Sequence, residues 1–318
     1  MSSDKSSSPP LVSIGLPVFN GERTLRRTID SLLAQTCEDL ELIITDNAST
    51  DSTESICAEY AGRDHRVRYH RHAANLGHVA SMNHLFELSS ADYFMWATDE
   101  DLWAPDYVQS CIEVLGQSEE ILLAGTWGEF VDSASGQLIF TDEGCSTVGL
   151  PPGERFKRHK AAIHSGSYAA LLFHGVYRRE SLGEVMPVWN LVLTDQLLLA
   201  RLSLLGEFQV VPKVLMTKRR RNTPKRYEEW LRDIGVAGAL RGNYPHLVRD
   251  LLYQKIIFQS DKLSLKQKVS LSYWSLTNYN TFRPDFIRFV RGRLRGTYHA
   301  LGRLSKLGLR PRRTNDKS

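Results

Sequence analysis

Four apolar runs in the first hundred residues constrain this chain more than any other feature. They are LVSIGLPVF (11–19), LELIITD (40–46), the short VRYH (67–70) and DYFMWA (92–97). Three segments of helical character separate them. ERTLRRTIDSLLAQT (22–36) spaces Leu25, Ile29, Leu32 and Leu33 along one helix face; STDSTESICAEYAG (49–62) starts with capping residues and ends at Gly62; HVASMNHLFELSS (78–90) closes the series. Buried strands alternating with helices predict right-handed βαβ units and a parallel sheet covered on both faces. Pro17 is expected to close the first strand. Ligands of such sheets sit outside the carboxyl ends of the strands.

Three polar clusters fall at those ends: Phe19-Asn20-Gly21-Glu22, Asp46-Asn47 and Asp99-Glu100-Asp101. They are expected to share one crevice. Asp46 and Asn47 could bond a base edge or a ribose, while Ser49 and Asp51 read as helix-capping residues. Three adjacent carboxylates suit a hard divalent cation, which takes one or two of them together with substrate phosphates. If the triplet is extended, side chains alternate: Asp99 and Asp101 share a site and Glu100 turns away.

Beyond residue 120 the pattern is mixed. ILLAGTWGEFVD and QLIFTD read as strands, ERFKRHKAAIH as a helix, and AALLFHGVYRRESL as a strand leading into a helix. TDQLLLARLSLLG (194–206) is a helix with Thr194 as its N-cap, and FQVVPKVLMT reads as two short strands around Pro212. Charge then divides the chain. From Lys218 onward there are 24 lysines and arginines against 7 acids; before it there are 16 against 29. The expected organisation is a tail (1–10), an α/β domain (11–225), a basic helical extension (226–309) and a final tail (310–318).

Some classes are excluded. No run of 18 uncharged apolar residues forms a transmembrane helix, and MSSDKSSSPP lacks the apolar core of a secretory signal. The four cysteines, Cys37, Cys57, Cys111 and Cys145, are widely spaced with no CxxC, as in a reduced, cytoplasmic protein without a zinc site. No nucleic-acid-binding motif accompanies the basic end, so nucleic acid is not an expected partner. Basic amphipathic helices instead suit peripheral contact with an anionic membrane at its cytoplasmic face.

VSIGLPVFNGERTLRRTIDSLLAQT, LELIITDNASTDST, NLGHVASMNHL and YFMWATDEDLWAPDYV follow one another at a spacing that resembles glycosyltransferase family 2. These are inverting transferases of the GT-A (Rossmann-like) fold that use nucleotide-diphosphate sugars. The resemblance spans about residues 11–220. It implies that Pro17, Phe19 and Glu22 line the nucleotide pocket, with Phe19 against the base. Asn47 stands where the family often has an aspartate that contacts uracil, and a UDP-sugar is the first expected donor. Asp99 would contact the ribose, and Asp101 would bind the Mg²⁺ or Mn²⁺ that bridges the diphosphate. Asp195 matches the family's general base, with Thr194 replacing the acid usually before it. Arg219 or Arg221 would face the leaving diphosphate, although the histidine that usually follows is absent. His174 and Gly175 match the segment beside the acceptor. That acceptor would be a hydroxyl, lipid-linked or on a glycan, in cell-surface polysaccharide or glycolipid synthesis. Two other readings stand beside this one. A nucleotidyltransferase would usually carry a Gly-rich basic phosphate loop after the first strand, which LPVFNGERT is not. A catalytically degenerate sugar-nucleotide-binding protein would account for Asn47 and Thr194.

Overall fold

The computed structural model describes residues 9–165, 171–191, 193–220 and 245–278. Its first half follows the strand–helix alternation: β1 (Val12–Val18), α1 (Leu25–Leu33), β2 (Leu40–Asp46), α2 (Thr53–Arg63), β3 (Val67–Arg71), α3 (His78–Leu88) and β4 (Tyr93–Trp96). Then come β5 (Leu102–Trp103), α4 (Tyr107–Leu115), β6 (Ile121–Asp132), β7 (Leu138–Asp142), α5 (Pro152–Ser165), β8 (Val176–Arg178) and α6 (Arg179–Gly183). The last are α7 (Thr194–Leu205), β9 (Glu207–Arg220), α8 (Pro245–Gln259) and α9 (Leu265–Thr277). All the strands form one sheet in the order β3-β2-β1-β4-β8-β6-β9-β5, with β7 on β6. The β3-β2-β1-β4 half and the long β6–β9 pair are parallel.

Every residue of β1 and β2 is buried, as continuous apolar strands predict. The pleat divides their side chains between two cores. Leu42, Ile44 and Met95 join the cluster under α1, α2 and α4; Ile43, Phe94 and Trp96 join the one under α3, α6 and α7. Pro17 does not end β1, which continues to Val18. Odd residues of β1 face β4, and that pairing stops at Gly15 opposite Trp96. The N–H that proline lacks therefore has no neighbouring strand to serve. Nor does Pro212 divide β9 in two. The register jumps from Val211 opposite Thr126 to Val214 opposite Trp127, so a bulge absorbs the proline.

The basic extension, where described, packs on the α/β part. Tyr253, Ile256 and Ile257 of α8 and Leu271 of α9 join Phe156 of α5 and Leu197, Ala200 and Leu204 of α7 in a third core. The expected helix over 284–309 and both expected tails, save Pro9 and Pro10 of the first, lie outside the described residues.

Candidate active site

A cavity of about 1000 Å³ opens at the carboxyl ends of β1, β2 and β4. Pro17, Phe19, Glu22, Asn47 and Asp99 line it, and so do Glu100, against the expectation that it turns away, and three residues not singled out from the sequence: Arg23, Arg27 and His78. Hydrogen bonds to backbone stitch its two front loops together. Asn20, at φ 54°, receives the Thr50 N–H on its side-chain oxygen and gives its own N–H to Ser49. Gly21 N–H donates to the Thr53 hydroxyl, Glu22 N–H to Asp51, and Ser52 N–H to the Glu22 carboxylate. Asp51 therefore ties α2 to the β1 loop as well as bonding the Thr53 N–H at 3.0 Å.

The acidic triplet is not extended. After Trp96 the chain bends, and the Thr98 hydroxyl donates to Asp101 at 2.6 Å, turning that carboxylate inward. Asp101 is 2% exposed and does not line the cavity. Lys218 Nζ lies 2.6 Å from its Oδ2, and the Arg219 N–H donates to its Oδ1 at 3.0 Å. Burial, the largest influence, would raise the Asp101 carboxyl; the Lys218 ammonium, His174 and the hydrogen bonds from Lys218 and Thr98 together outweigh it and hold the carboxyl below the ordinary range. The expected pairing is thus corrected. Asp99 and Glu100 reach the cavity, while Asp101 is neutralised by Lys218 and is not placed as a metal ligand. Gly21 makes room for Asp99: a Cβ there would sit 2.8 Å from Asp99 Oδ2 and 2.7 Å from Val18.

Asp46 also departs from expectation. It is fully buried, accepts from Ser49 N–H and the Tyr69 hydroxyl, and lies 3.5 Å from Arg71. Its carboxylate shapes the loop and does not face the cavity. Asn47 lines the cavity, but its amide donates to Asn75 and its oxygen accepts the Leu76 N–H. His174 and Gly175 are buried and do not line the cavity. His174 bonds the Trp96 carbonyl through Nδ1, and burial pulls it down to about 3. A Cβ on Gly175 would stand 2.5 Å from the Ala124 carbonyl, so the glycine serves close packing. Arg219 does not line the cavity; its guanidinium donates to the Ser133 carbonyl. Arg221 lies outside the described residues.

Asp195 is partly buried in the first turn of α7, away from the cavity lining. Thr194 is the first helical residue and not the cap; Leu193 is the N-cap, at φ 63°. Burial raises the Asp195 carboxyl from its ordinary range, against the opposing N–H groups of the helix start and the Lys218 and Arg249 charges. Lys218 is thus felt by Asp101, Asp195, His78 and His174 alike.

The chemistry of the cavity fits a divalent cation in part. Asp99 and Glu100 on the wall meet what Mg²⁺ or Mn²⁺ takes from protein when substrate phosphates and water supply the rest. Among the described residues, no three histidine, cysteine, aspartate or glutamate side chains are grouped to hold a metal by themselves.

Residues 13–177, just over half of the chain, match the model of glycosyl transferase family 2. The chain belongs to glycosyltransferase family 2. An uncharacterized glycosyltransferase of Rickettsia typhi is 30% identical over 169 residues, 52% of this chain and 48% of the relative. The chain spans about half the length of that relative or less of others it matches. Among solved structures, S. aureus TarS 1–349 in complex with UDP-GlcNAc aligns at TM-score 0.62 and 14% identity, over 85% of this chain and 74% of that one. A mannosyltransferase from Pyrobaculum calidifontis, in complex with GDP-Man and Mn²⁺, aligns at TM-score 0.50 and 14% identity, over 93% and 84%. These likenesses establish the GT-A fold for a family 2 chain.

Proposed function

We propose that this family 2 protein moves a sugar from a nucleotide-diphosphate donor to an acceptor hydroxyl, with inversion at the anomeric carbon. The observation that carries the reading is the cavity itself. It sets the Phe19 ring, the Asp99 and Glu100 carboxylates and the Arg23 and Arg27 guanidinium groups around one space. A base can stack on an aromatic ring, ribose hydroxyls can donate to a carboxylate, and guanidinium pairs with phosphate oxygens. UDP-GlcNAc in TarS and GDP-Man in the Pyrobaculum enzyme support a nucleotide sugar; a UDP-sugar is the first donor to test and GDP-mannose the second.

In the step itself, Asp195 takes the proton of the acceptor hydroxyl as its oxygen bonds the anomeric carbon. The bond from that carbon to the diphosphate breaks, and the nucleoside diphosphate leaves. The raised Asp195 carboxyl suits a base. Asp99 and Glu100 would hold Mg²⁺ or Mn²⁺ beside the donor phosphates, where a cation offsets charge on the leaving group. Arg27 lies within electrostatic reach of Glu100 and Asp101, and its buried Nε has no hydrogen-bond partner, which suits a phosphate ligand.

The acceptor is proposed to be lipid-linked or a glycan at the cytoplasmic face of a membrane. Support comes from α9, where Leu265, Val269 and Tyr273 form an exposed stripe beside exposed Lys262 and Lys266. A panel of nucleotide-diphosphate sugars with and without Mn²⁺, read as nucleoside diphosphate release, tests the activity. Turnover that requires Asp195 and Asp99 is expected. Nucleotide binding with no turnover of any donor would favour the degenerate scaffold instead.

A further inference from the structure

The helix that carries Asp195 starts under constraint. Leu193, directly before its first turn, has φ 63°, a left-handed conformation that a branched residue holds only where its surroundings impose it. The residues on either side of it are held by contacts. The Thr194 hydroxyl donates to the Trp189 carbonyl at 2.6 Å. The Trp189 ring takes the Arg201 guanidinium of α7 at 5.0 Å and the Lys255 ammonium of α8 at 5.7 Å from its centre.

Gln196, next to Asp195, is held from two other helices. His159 Nε2 of α5 donates to its backbone carbonyl at 3.1 Å, and Arg249 Nη1 of α8 donates to its Oε1 at 2.9 Å. Arg249 is 2% exposed and spends its other edge on Asp250, with Nε at 3.1 Å and Nη2 at 3.0 Å from one carboxylate oxygen. A planar fork that grips Asp250 with one edge and Gln196 with another is a task for arginine, not lysine. A first helical turn has no intrahelical partners for its N–H groups and frays unless held.

We propose that Arg249 is a positioning residue for the base: through Gln196 it fixes the first turn of α7, so that helix α8 of the basic extension completes the active site. This rests on the reading of Asp195 as the base. The geometry has an electrostatic consequence. The charged and titratable groups that Asp195 feels are Lys218 of β9, Arg249 of α8 and the Tyr253 hydroxyl of α8. From α5, His159 and Lys160 face Arg249. Removing the Arg249 charge lets burial raise Asp195 further, and the acidic limb of the pH–rate profile moves to higher pH.

The test uses the whole 318-residue chain and the donor found active in the panel. Arg249→Gln is expected to lower kcat by about 10- to 100-fold, with donor KM unchanged and the acidic limb shifted upward. Arg249→Lys keeps the charge and should hold the limb in place. Gln196→Leu leaves the buried Arg249–Asp250 pair intact, so it folds even if Arg249→Gln does not. It should lower kcat, leave the limb unmoved and raise hydrogen exchange at residues 194–198. Wild-type kcat and exchange in Gln196→Leu overturn the proposal, as does an Arg249→Gln limb that stays at the wild-type pH. Asp195→Asn is measured alongside. If it remains active, the assignment of the base fails; if it is inactive while Gln196→Leu behaves as wild type, only the role of Arg249 fails.

Discussion

The two sides of this site handle charge in opposite ways. On the side proposed for the donor, Asp99, Glu100, Arg23 and Arg27 stand on the wall of an open cavity, carried by α1 and by loops that hydrogen bonds hold in place. On the side proposed for the base, Arg249, Asp250 and Lys160 are almost wholly buried between helices, and Asp195 sits at their edge. Charges kept near water remain able to exchange partners with a ligand. Charges sealed in protein must be matched by fixed partners, and their protonation is set by burial. Binding of a charged donor suits the first arrangement, and proton transfer the second. Lys218 lies between them, paired with Asp101 and felt by Asp195.

The strongest way to break this contrast is Asp195→Asn. Transfer should fall by about 10²–10⁴-fold while nucleotide binding, followed by calorimetry, stays at the wild-type value. A parallel loss of binding would put Asp195 on the donor side. Next in size is Lys218→Met, which leaves the Asp101 carboxylate buried and unmatched. Chemical denaturation should show a loss of about 3–5 kcal/mol, and adding Asp101→Leu should recover most of it. If the single variant is as stable as wild type, the pair does not hold the two sides together.

Asp99→Asn is expected to weaken donor binding by roughly ten- to hundredfold, the scale of a lost charged hydrogen bond, and to remove any gain from Mn²⁺. The same change at Asp101 should leave the Mn²⁺ gain in place, which calorimetric Mn²⁺ titration would show directly. The smallest effect concerns pH. Burial holds His159 near about 4 and His174 near about 3, both below the ordinary value of 6.5. The unfolded chain therefore binds these protons first. Stability should be level above neutral pH and fall as pH drops below about 6.5, by at most about 1.4 kcal/mol per pH unit for each histidine. Urea midpoints across pH check the slope, and His159→Gln should flatten it. An unchanged slope in that variant would mean that His159 is already protonated in the fold.

Much of the donor side was legible because it depends on local pattern. β1 to β4 announced themselves as apolar runs, and the polar residues that follow them had to lie at one edge of a parallel sheet. Phe19, Glu22 and Asn47 reach the cavity for that reason. Asp101 was misread because a triplet after a strand was treated as extended, whereas the Thr98 hydroxyl folds it into a turn. Arg23 and Arg27 could have been found: they are the basic residues that directly follow the β1 loop, Arg23 in the turn that leads into α1 and Arg27 in the helix's first turn. Lys218 had a weaker signal, as one of four consecutive basic residues whose individual directions the run does not distinguish.

The sequence alone determined the alternating α/β plan, the edge of the sheet where the cavity opens, and the family, since each rests on periodicity or on short motifs read in order. Tertiary structure alone decided which carboxylates face the cavity and which is buried against Lys218. It also decided how far burial raises Asp195, and that a helix some fifty residues later in the chain grips the turn beside it. A carboxylate's role is set by its surroundings, and these surroundings come from α5, α7, α8 and β9, segments far apart in the chain that meet only in the folded protein.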